Sequence, residues 1–302
     1  METIAEEIKQ LAKEKDVVIL AHYYVDGEVQ AIADYVGDSY YLSKIATEVK
    51  QKNILFCGVT FMGESAKILN PEKKVIMADE LADCPMAHMV DLDKIEEVRK
   101  QYKDVAVVCY VNSTAEIKAK SDVCVTSSNA IRVVKALENK RIFFIPDNNL
   151  GRYVASKVPE KEFIFHDGFC HVHTSITKEQ VEAAKKLYPA SLVLAHPECT
   201  EDVLALADFI GSTSEIIDYA TRSENENFII CTEMGVFYEL MQKNPQKKFY
   251  SVGHRQFCPN MKRITLEKVK NALLTMQPEL VLDEEIRKKS FLPLSKMLEL
   301  AR

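Results

Sequence analysis

The sequence predicts an α/β protein made of three homologous three-layer αβα domains. Each has a parallel four-stranded sheet, and the three are arranged with pseudo-threefold symmetry around a central active site. Three observations carry this expectation. A unit of 86 to 88 residues recurs three times, aligning Ala21-His22-Tyr23-Tyr24 with Cys109-Tyr110-Val111-Asn112 and Ala195-His196-Pro197-Glu198. Twelve positions on come Asp34, Asp122 and Asp208, then Gly37-Asp38-Ser39, Val125-Thr126-Ser127 and Gly211-Ser212-Thr213. Short apolar runs alternate with helix-like stretches throughout, the pattern of a parallel sheet covered on both faces. Finally, Cys84, Cys170 and Cys258 fall at one place in the unit, 60 to 62 residues after His22, Tyr110 and His196. Solenoid periods run from about 20 to 50 residues, so a period this long implies a small domain used three times.

In chain order, Ile4, Ile8 and Leu11 at helical spacing predict an amphipathic helix over residues 2–15. The first strand of each unit is Val17–Leu20, Val105–Val108 and Ser191–Leu194. A helix and a short second strand end at the Gly-Asp-Ser type turn. A second helix leads to strands at residues 54–56, 142–144 and 228–230, and a third, at 64–69, 150–158 and 236–242, to strands at 75–77, 163–165 and 249–250. Each unit thus reads β-α-β-α-β-α-β, with its cysteine in the loop after the last strand. Helices opening at Thr265 and Asp283, both good caps, are expected to close the last domain. The domains are expected at residues 1–87, 88–173 and 174–302, the third carrying these C-terminal helices.

Composition excludes several classes. A chain of 302 residues with 47% hydrophobic content suits two or three small domains, and no apolar stretch approaches the roughly 18 residues of a membrane span. A net charge of −6 without a basic run argues against nucleic acid or an anionic membrane as partner. The acidic start Met1-Glu2-Thr3-Ile4-Ala5-Glu6-Glu7 does not read as a signal peptide, so a cytoplasmic location is expected. There, eight cysteines point to metal or chemistry rather than disulfides.

Three thiolates brought together by the repeat would leave a fourth ligand position open. That set suits an iron–sulfur cluster with one free iron, with a catalytic zinc as second choice. Cys57, Cys109, Cys124 and Cys231 end or interrupt apolar runs and read as small buried hydrophobes. Ligands of such sheets bind beyond the carboxyl ends of the strands, where the polar landmarks fall. His22, Tyr110 and His196 form one equivalent set there, and Tyr24, Asn112 and Glu198 another, six groups suited to proton transfer and binding in one cavity. Ser39, Thr126-Ser127 and Ser212-Thr213 precede helices, where a hydroxyl is a plain cap or part of an anion site made of free N–H groups. His173 would lie near the metal. No P-loop, dinucleotide fingerprint or H-E-x-x-H is present.

Taken together with Phe61-Met62-Gly63-Glu64-Ser65-Ala66-Lys67-Ile68-Leu69, Cys170-His171-Val172-His173 and the landmarks above, the chain from about residue 17 to 300 resembles the quinolinate synthase family. The resemblance implies a triplicated α/β architecture around a [4Fe-4S] cluster held by Cys84, Cys170 and Cys258, with one iron open. It implies condensation of iminoaspartate with dihydroxyacetone phosphate to quinolinate, releasing phosphate and two waters, in NAD biosynthesis. Coupling to the L-aspartate oxidase that supplies the imine is implied as well. Tyr24, Tyr110 and Glu198 would be catalytic. His22, Ser39, Tyr110, Asn112, Ser127, His173, His196, Glu198, Ser212 and Thr213 would bind substrate. Some members surround the third cysteine with C-x-x-C-x-x-C, whereas this chain offers Cys258 alone. Other readings of the residues are a different cluster-dependent hydro-lyase, a cluster-based redox or iron sensor, and a binding protein with structural zinc.

Overall fold

The computed structural model describes residues 3–253 and 256–301. Met1 and Glu2, counted in the expected first domain, Arg302, the expected end of the third, and His254 and Arg255 lie outside the described residues. Three sheets organise the molecule. The first holds β1 (Val17–His22), β2 (Tyr35–Gly37), β3 (Asn53–Cys57) and β4 (Lys74–Met77). The second holds β5 (Val105–Tyr110), β6 (Val123–Val125), β7 (Arg141–Ile145) and β8 (Glu162–Phe165). The third holds β9 (Leu192–Ala195), β10 (Phe209–Ile210), β11 (Asn227–Cys231) and β12 (Lys248–Ser251). The three orders are β2-β1-β3-β4, β6-β5-β7-β8 and β10-β9-β11-β12, and every pairing within them is parallel. Even the register repeats, Leu20 facing Phe56, Val108 facing Phe144 and Leu194 facing Ile230.

The central strands β1 and β5 are buried at every residue, as strands covered by helices on both faces must be. Both run two residues beyond the apolar run, so His22 and Tyr110 are the last strand residues rather than the first of a loop. The aspartates that mark the repeat register the short edge strands. Asp34 Oδ2 accepts from the Ile19 amide at 2.8 Å, Asp122 Oδ2 from Val107 at 2.7 Å and Asp208 Oδ2 from Val193 at 2.8 Å. Each aspartate amide returns a bond to the same partner's carbonyl at 2.9 Å. A second device recurs without having been foreseen. Lys73, Lys161 and Lys247 each donate to carbonyls at the C-terminal end of a preceding helix, Ser39–Glu48, Ala130–Ala136 and Thr213–Arg222 respectively. An ammonium there meets both the orphan carbonyls and the negative end of the helix dipole.

One expectation is overturned. The C-terminal helices Leu266–Thr275 and Glu284–Leu300 do not close the third repeat; they pack on the first and second. Leu266–Thr275 lies against the N-terminal helix Ile4–Glu14, joined by Lys270 to Glu7 and by Lys15 Nζ to the Leu274 carbonyl at 3.1 Å. Between the two helices the chain runs antiparallel beside the edge strand β4, with Met77 N donating to Pro278 O at 3.1 Å and Leu280 N to Val75 O at 2.8 Å. Glu284–Leu300 then crosses the helices Ala115–Ala119 and Thr60–Leu69. Apolar positions make the difference: Val269, Ala272, Leu273, Leu294 and Met297 share one buried cluster with Ile8, Ile54 and Ile117.

Candidate active site

The carboxyl ends of the strands and residues that follow β4, β8 and β12 line one cavity. Its wall contains His22, Tyr24, Ser39, Tyr110, Asn112, Ser127, His173, His196, Glu198, Thr213 and the three cysteines Cys84, Cys170 and Cys258. Among the residues singled out from the sequence, Ser212 is not in that wall. Its hydroxyl accepts from Glu215 N at 3.3 Å while the Glu215 carboxylate accepts from Ser212 N at 2.7 Å, a capping box that consumes the side chain. Ser39 is freed from capping because Asp38 does it, Oδ1 accepting from Tyr41 N at 2.9 Å.

Strand-end geometry sets the imidazoles. Two residues after His22 the Tyr24 amide donates to His22 Nδ1 at 3.2 Å, and in the third repeat the Glu198 amide donates to His196 Nδ1 at 3.3 Å. With Nδ1 accepting, the His22 proton sits on Nε2; His196 Nδ1 also faces Glu198 Oε2 at 3.2 Å, and its Nε2 lies 3.1 Å from Ser127 Oγ. Burial, then the neighbouring His196, pushes His22 down to about 3, so its ring is a neutral N–H donor. His196 is lowered also, by burial and by His173.

Glu198 is the electrostatic centre. Its side chain is 3% exposed, with Oε2 at 2.9 Å from His173 Nδ1 and 3.2 Å from His196 Nδ1, and the two rings stack at 4.6 Å. Burial opposes the charge, but the two imidazoles outweigh it and hold the carboxyl below the ordinary range. Glu198 Oε1 is buried with no protein partner, an acceptor left for a bound molecule. Asn112 Oδ1 is in the same condition. Tyr24 OH lies between Thr213 Oγ1 and Thr232 Oγ1, 2.8 Å from each, and Thr232 Oγ1 is in turn 2.8 Å from His173 Nε2. Burial and then the Glu198 charge raise the Tyr24 and Tyr110 phenols well above their usual values, so both keep their protons.

Burial pushes the Cys84 thiol up to about 12, and raises Cys170 and Cys258 in the same direction. Backbone N–H groups of Ala87 and Met86, of His173, and of Met261 and Asn260 favour the thiolates in turn. Thiols so placed lose their protons to a metal that shares the charge, and the donor set fits an iron–sulfur cluster or another thiophilic metal. His173 Nδ1 is 3.2 Å from Cys170 Sγ, and Cys170, His173 and Glu198 lie close enough to hold a single ion as well.

Carboxylates behind the cysteines were not singled out from the sequence. Cys170 N donates to Asp147 Oδ2 at 3.1 Å, and Cys258 N to Glu233 Oε1 at 3.0 Å. Both acids occupy the second position after a third strand, β7 or β11, so the repeat contained a signal for them. The first repeat has Val59 there, and the Cys84 amide is taken by Asp83 Oδ1 at 2.8 Å. Thr232, between Tyr24 and His173, carries no repeat signal.

A family model described as quinolinate synthetase A protein matches residues 6–299. A protein of Fusobacterium nucleatum named quinolinate synthase is 56% identical over 294 residues, covering 97% of this chain and 98% of its own. One of Caldicellulosiruptor bescii with the same name is 51% identical over 300 residues, 99% of each chain. One of Clostridioides difficile, also so named, is 49% identical over 295 residues, 98% of this chain and 97% of its own.

Proposed function

The chain belongs to the quinolinate synthase family, and from that premise we propose that it condenses iminoaspartate with dihydroxyacetone phosphate to quinolinate, releasing phosphate and two waters. The bonds formed are one C–C and one C–N, and no external oxidant or reductant is required. The observation that carries the reading is the meeting of three half-buried cysteines and six strand-end polar groups in one cavity. Cys84, Cys170 and Cys258 would hold a [4Fe-4S] cluster, whose uncoordinated iron supplies Lewis acidity toward a substrate oxygen.

The protein's own groups divide the remaining work. Glu198, ionised and with Oε1 free, takes protons from carbon or nitrogen. Tyr24 and Tyr110, held protonated, donate to oxygens that gain charge or leave as water. His22 is a neutral donor through Nε2 and orients an oxygen without adding charge, while His196 stands between Glu198 and Ser127 and helps to bind substrate beside them. Ser39, Asn112, Ser127, His173 and Thr213 bind carboxylate and phosphate oxygens, and Ser212 serves by fixing the helix that presents Thr213. An imine hydrolyses readily in water, which favours coupling to the oxidase that makes it, in the cytoplasm. Repeat limits at 87/88 and 173/174 would mark three docked domains.

The decisive experiment gives anaerobically purified, cluster-replete protein freshly generated iminoaspartate and dihydroxyacetone phosphate and measures quinolinate. Product that disappears in air and in Cys258→Ala is expected. Absence of product with verified cluster and substrates overturns the assignment and leaves the site to another dehydration. Colourless, sulfide-free protein would point instead to zinc at Cys170, His173 and Glu198.

A further inference from the structure

Lys262 stands where two loops of the cavity meet. It follows Cys258 in a short turn whose Lys262 amide donates to Cys258 O at 3.1 Å. Its ammonium, 19% exposed, donates to the Tyr24 carbonyl at 2.7 Å and pairs with Glu233 Oε1 at 3.2 Å and Asp26 Oδ1 at 3.3 Å. Glu233 Oε1 is the oxygen that accepts the Cys258 amide, while Oε2 accepts from Gly235 N at 2.6 Å. The loop after β1 is fixed to the same place a second time. Gln30 Nε2 lies 2.9 Å from the carbonyls of Tyr23, Val25 and Gly235. A Cβ on Gly235 would come within 2.6 Å of Tyr23 O and 2.7 Å of Tyr24 Cα, so the two backbones touch where only glycine fits. The backbone of Tyr24 and the amide of Cys258 are therefore joined through one cation and one buried carboxylate.

We infer that Lys262 is a positioning residue that couples the Cys258 loop to the Tyr23–Asp26 loop, so that the Tyr24 phenol is set in place by the metal-bound state of Cys258. This rests on the proposed roles of Cys258 and Tyr24. When Cys258 is a ligand, its loop is held, Glu233 keeps its orientation and Lys262 holds the Tyr24 carbonyl. When Cys258 is released, the chain Cys258–Glu233–Lys262–Tyr24 loses its anchor. Misplacement of a catalytic group by about 1 Å can cost on the order of a hundredfold in rate, so a contact of this kind gates turnover without touching substrate. The coupling would keep a cluster-free enzyme from binding a labile imine productively.

The test reads amide hydrogen exchange of the peptide bearing Tyr23 to Asp26 in cluster-free and cluster-loaded protein, before any turnover is measured. Loading is expected to slow exchange at Tyr24 and Val25 roughly tenfold in the wild type. In Lys262→Met, which keeps the length of the side chain, that dependence on loading is expected to vanish while iron and sulfide per chain stay at wild-type values. Its kcat should fall on the order of ten- to a hundredfold with KM little changed, and Lys262→Arg should restore part of the rate. Identical wild-type exchange with and without cluster overturns the inference, whatever the variant does. So does a loaded Lys262→Met protein with wild-type coupling and kcat. The exchange comparison needs no product, so a failure to make quinolinate and a failure of the coupling are read separately.

Discussion

A carboxylate sealed inside a protein is costly, and Glu198 meets that cost with two imidazoles rather than a lysine or arginine. An arginine fork would occupy both oxygens. Two rings approaching Oε2 leave Oε1 bare, which is what a base facing a substrate requires. Glu198→Gln is expected to lower kcat more than about a hundredfold while iron and sulfide content stay unchanged. Tyr24→Phe, removing the hydroxyl between Thr213 and Thr232, should cost at least about tenfold. Wild-type rates in either variant would take that residue out of the mechanism. His22, Tyr24, Tyr110, Asn112, His196 and Glu198 were legible as site candidates because the repeat places them at one height of three strands. Thr232 was not, because its importance lies in spatial contacts with Tyr24 and His173, residues distant in the chain.

Secondary-structure elements were legible wherever local chemistry alone decides them. Thr265 and Asp283 do cap helices, accepting from Lys268 N and from Glu285 N and Ile286 N, and the apolar runs are strands. The recurring aspartates could be seen but not interpreted, since their role appears only when Asp34, Asp122 and Asp208 are found bonded to Ile19, Val107 and Val193. Asp34→Ala should destabilise the protein by about 1–2 kcal/mol in denaturant unfolding, with Asp34→Asn milder because it keeps an acceptor. Asp79, in the loop after β4, accepts from Lys268 Nζ at 2.7 Å and Arg263 Nε at 3.1 Å. Burial opposes its ionisation, but these cations and the Leu81 amide win and hold its pKa below the ordinary value. A lowered folded-state pKa contributes stability in full above the unfolded value, and that contribution fades as pH falls through the folded one. Asp79→Asn should therefore lower stability by about 1 kcal/mol at neutral pH, the ions being partly exposed, with the gap to wild type closing in strong acid. A gap in melting temperature that does not shrink with pH would deny Asp79 its ionic role.

At the scale of the molecule, the threefold repeat made the meeting of the three cysteines readable in advance. It gave no warning that residues 266–300 leave the third sheet and pack on the first two, because the sequence fixes which faces are apolar but not which of three similar partners they meet. A chain ending after Thr275 retains every proposed catalytic and metal residue yet bares the β4 edge. It should lose several degrees in melting temperature and gain a tendency to self-associate, measurable by light scattering. The strand partner of β4 lies at Pro278 to Leu280, some two hundred residues downstream. A ribosome delivers the two halves of that contact far apart in time, so the first sheet must wait with an open side while the other two are synthesised. Protease applied to stalled nascent chains should cut around β4 until residues 278–300 have emerged, then cease to. Until residues 278–280 have been made, β4 therefore presents an unpaired edge, and the incomplete chain carries the kind of surface through which strands of different molecules join.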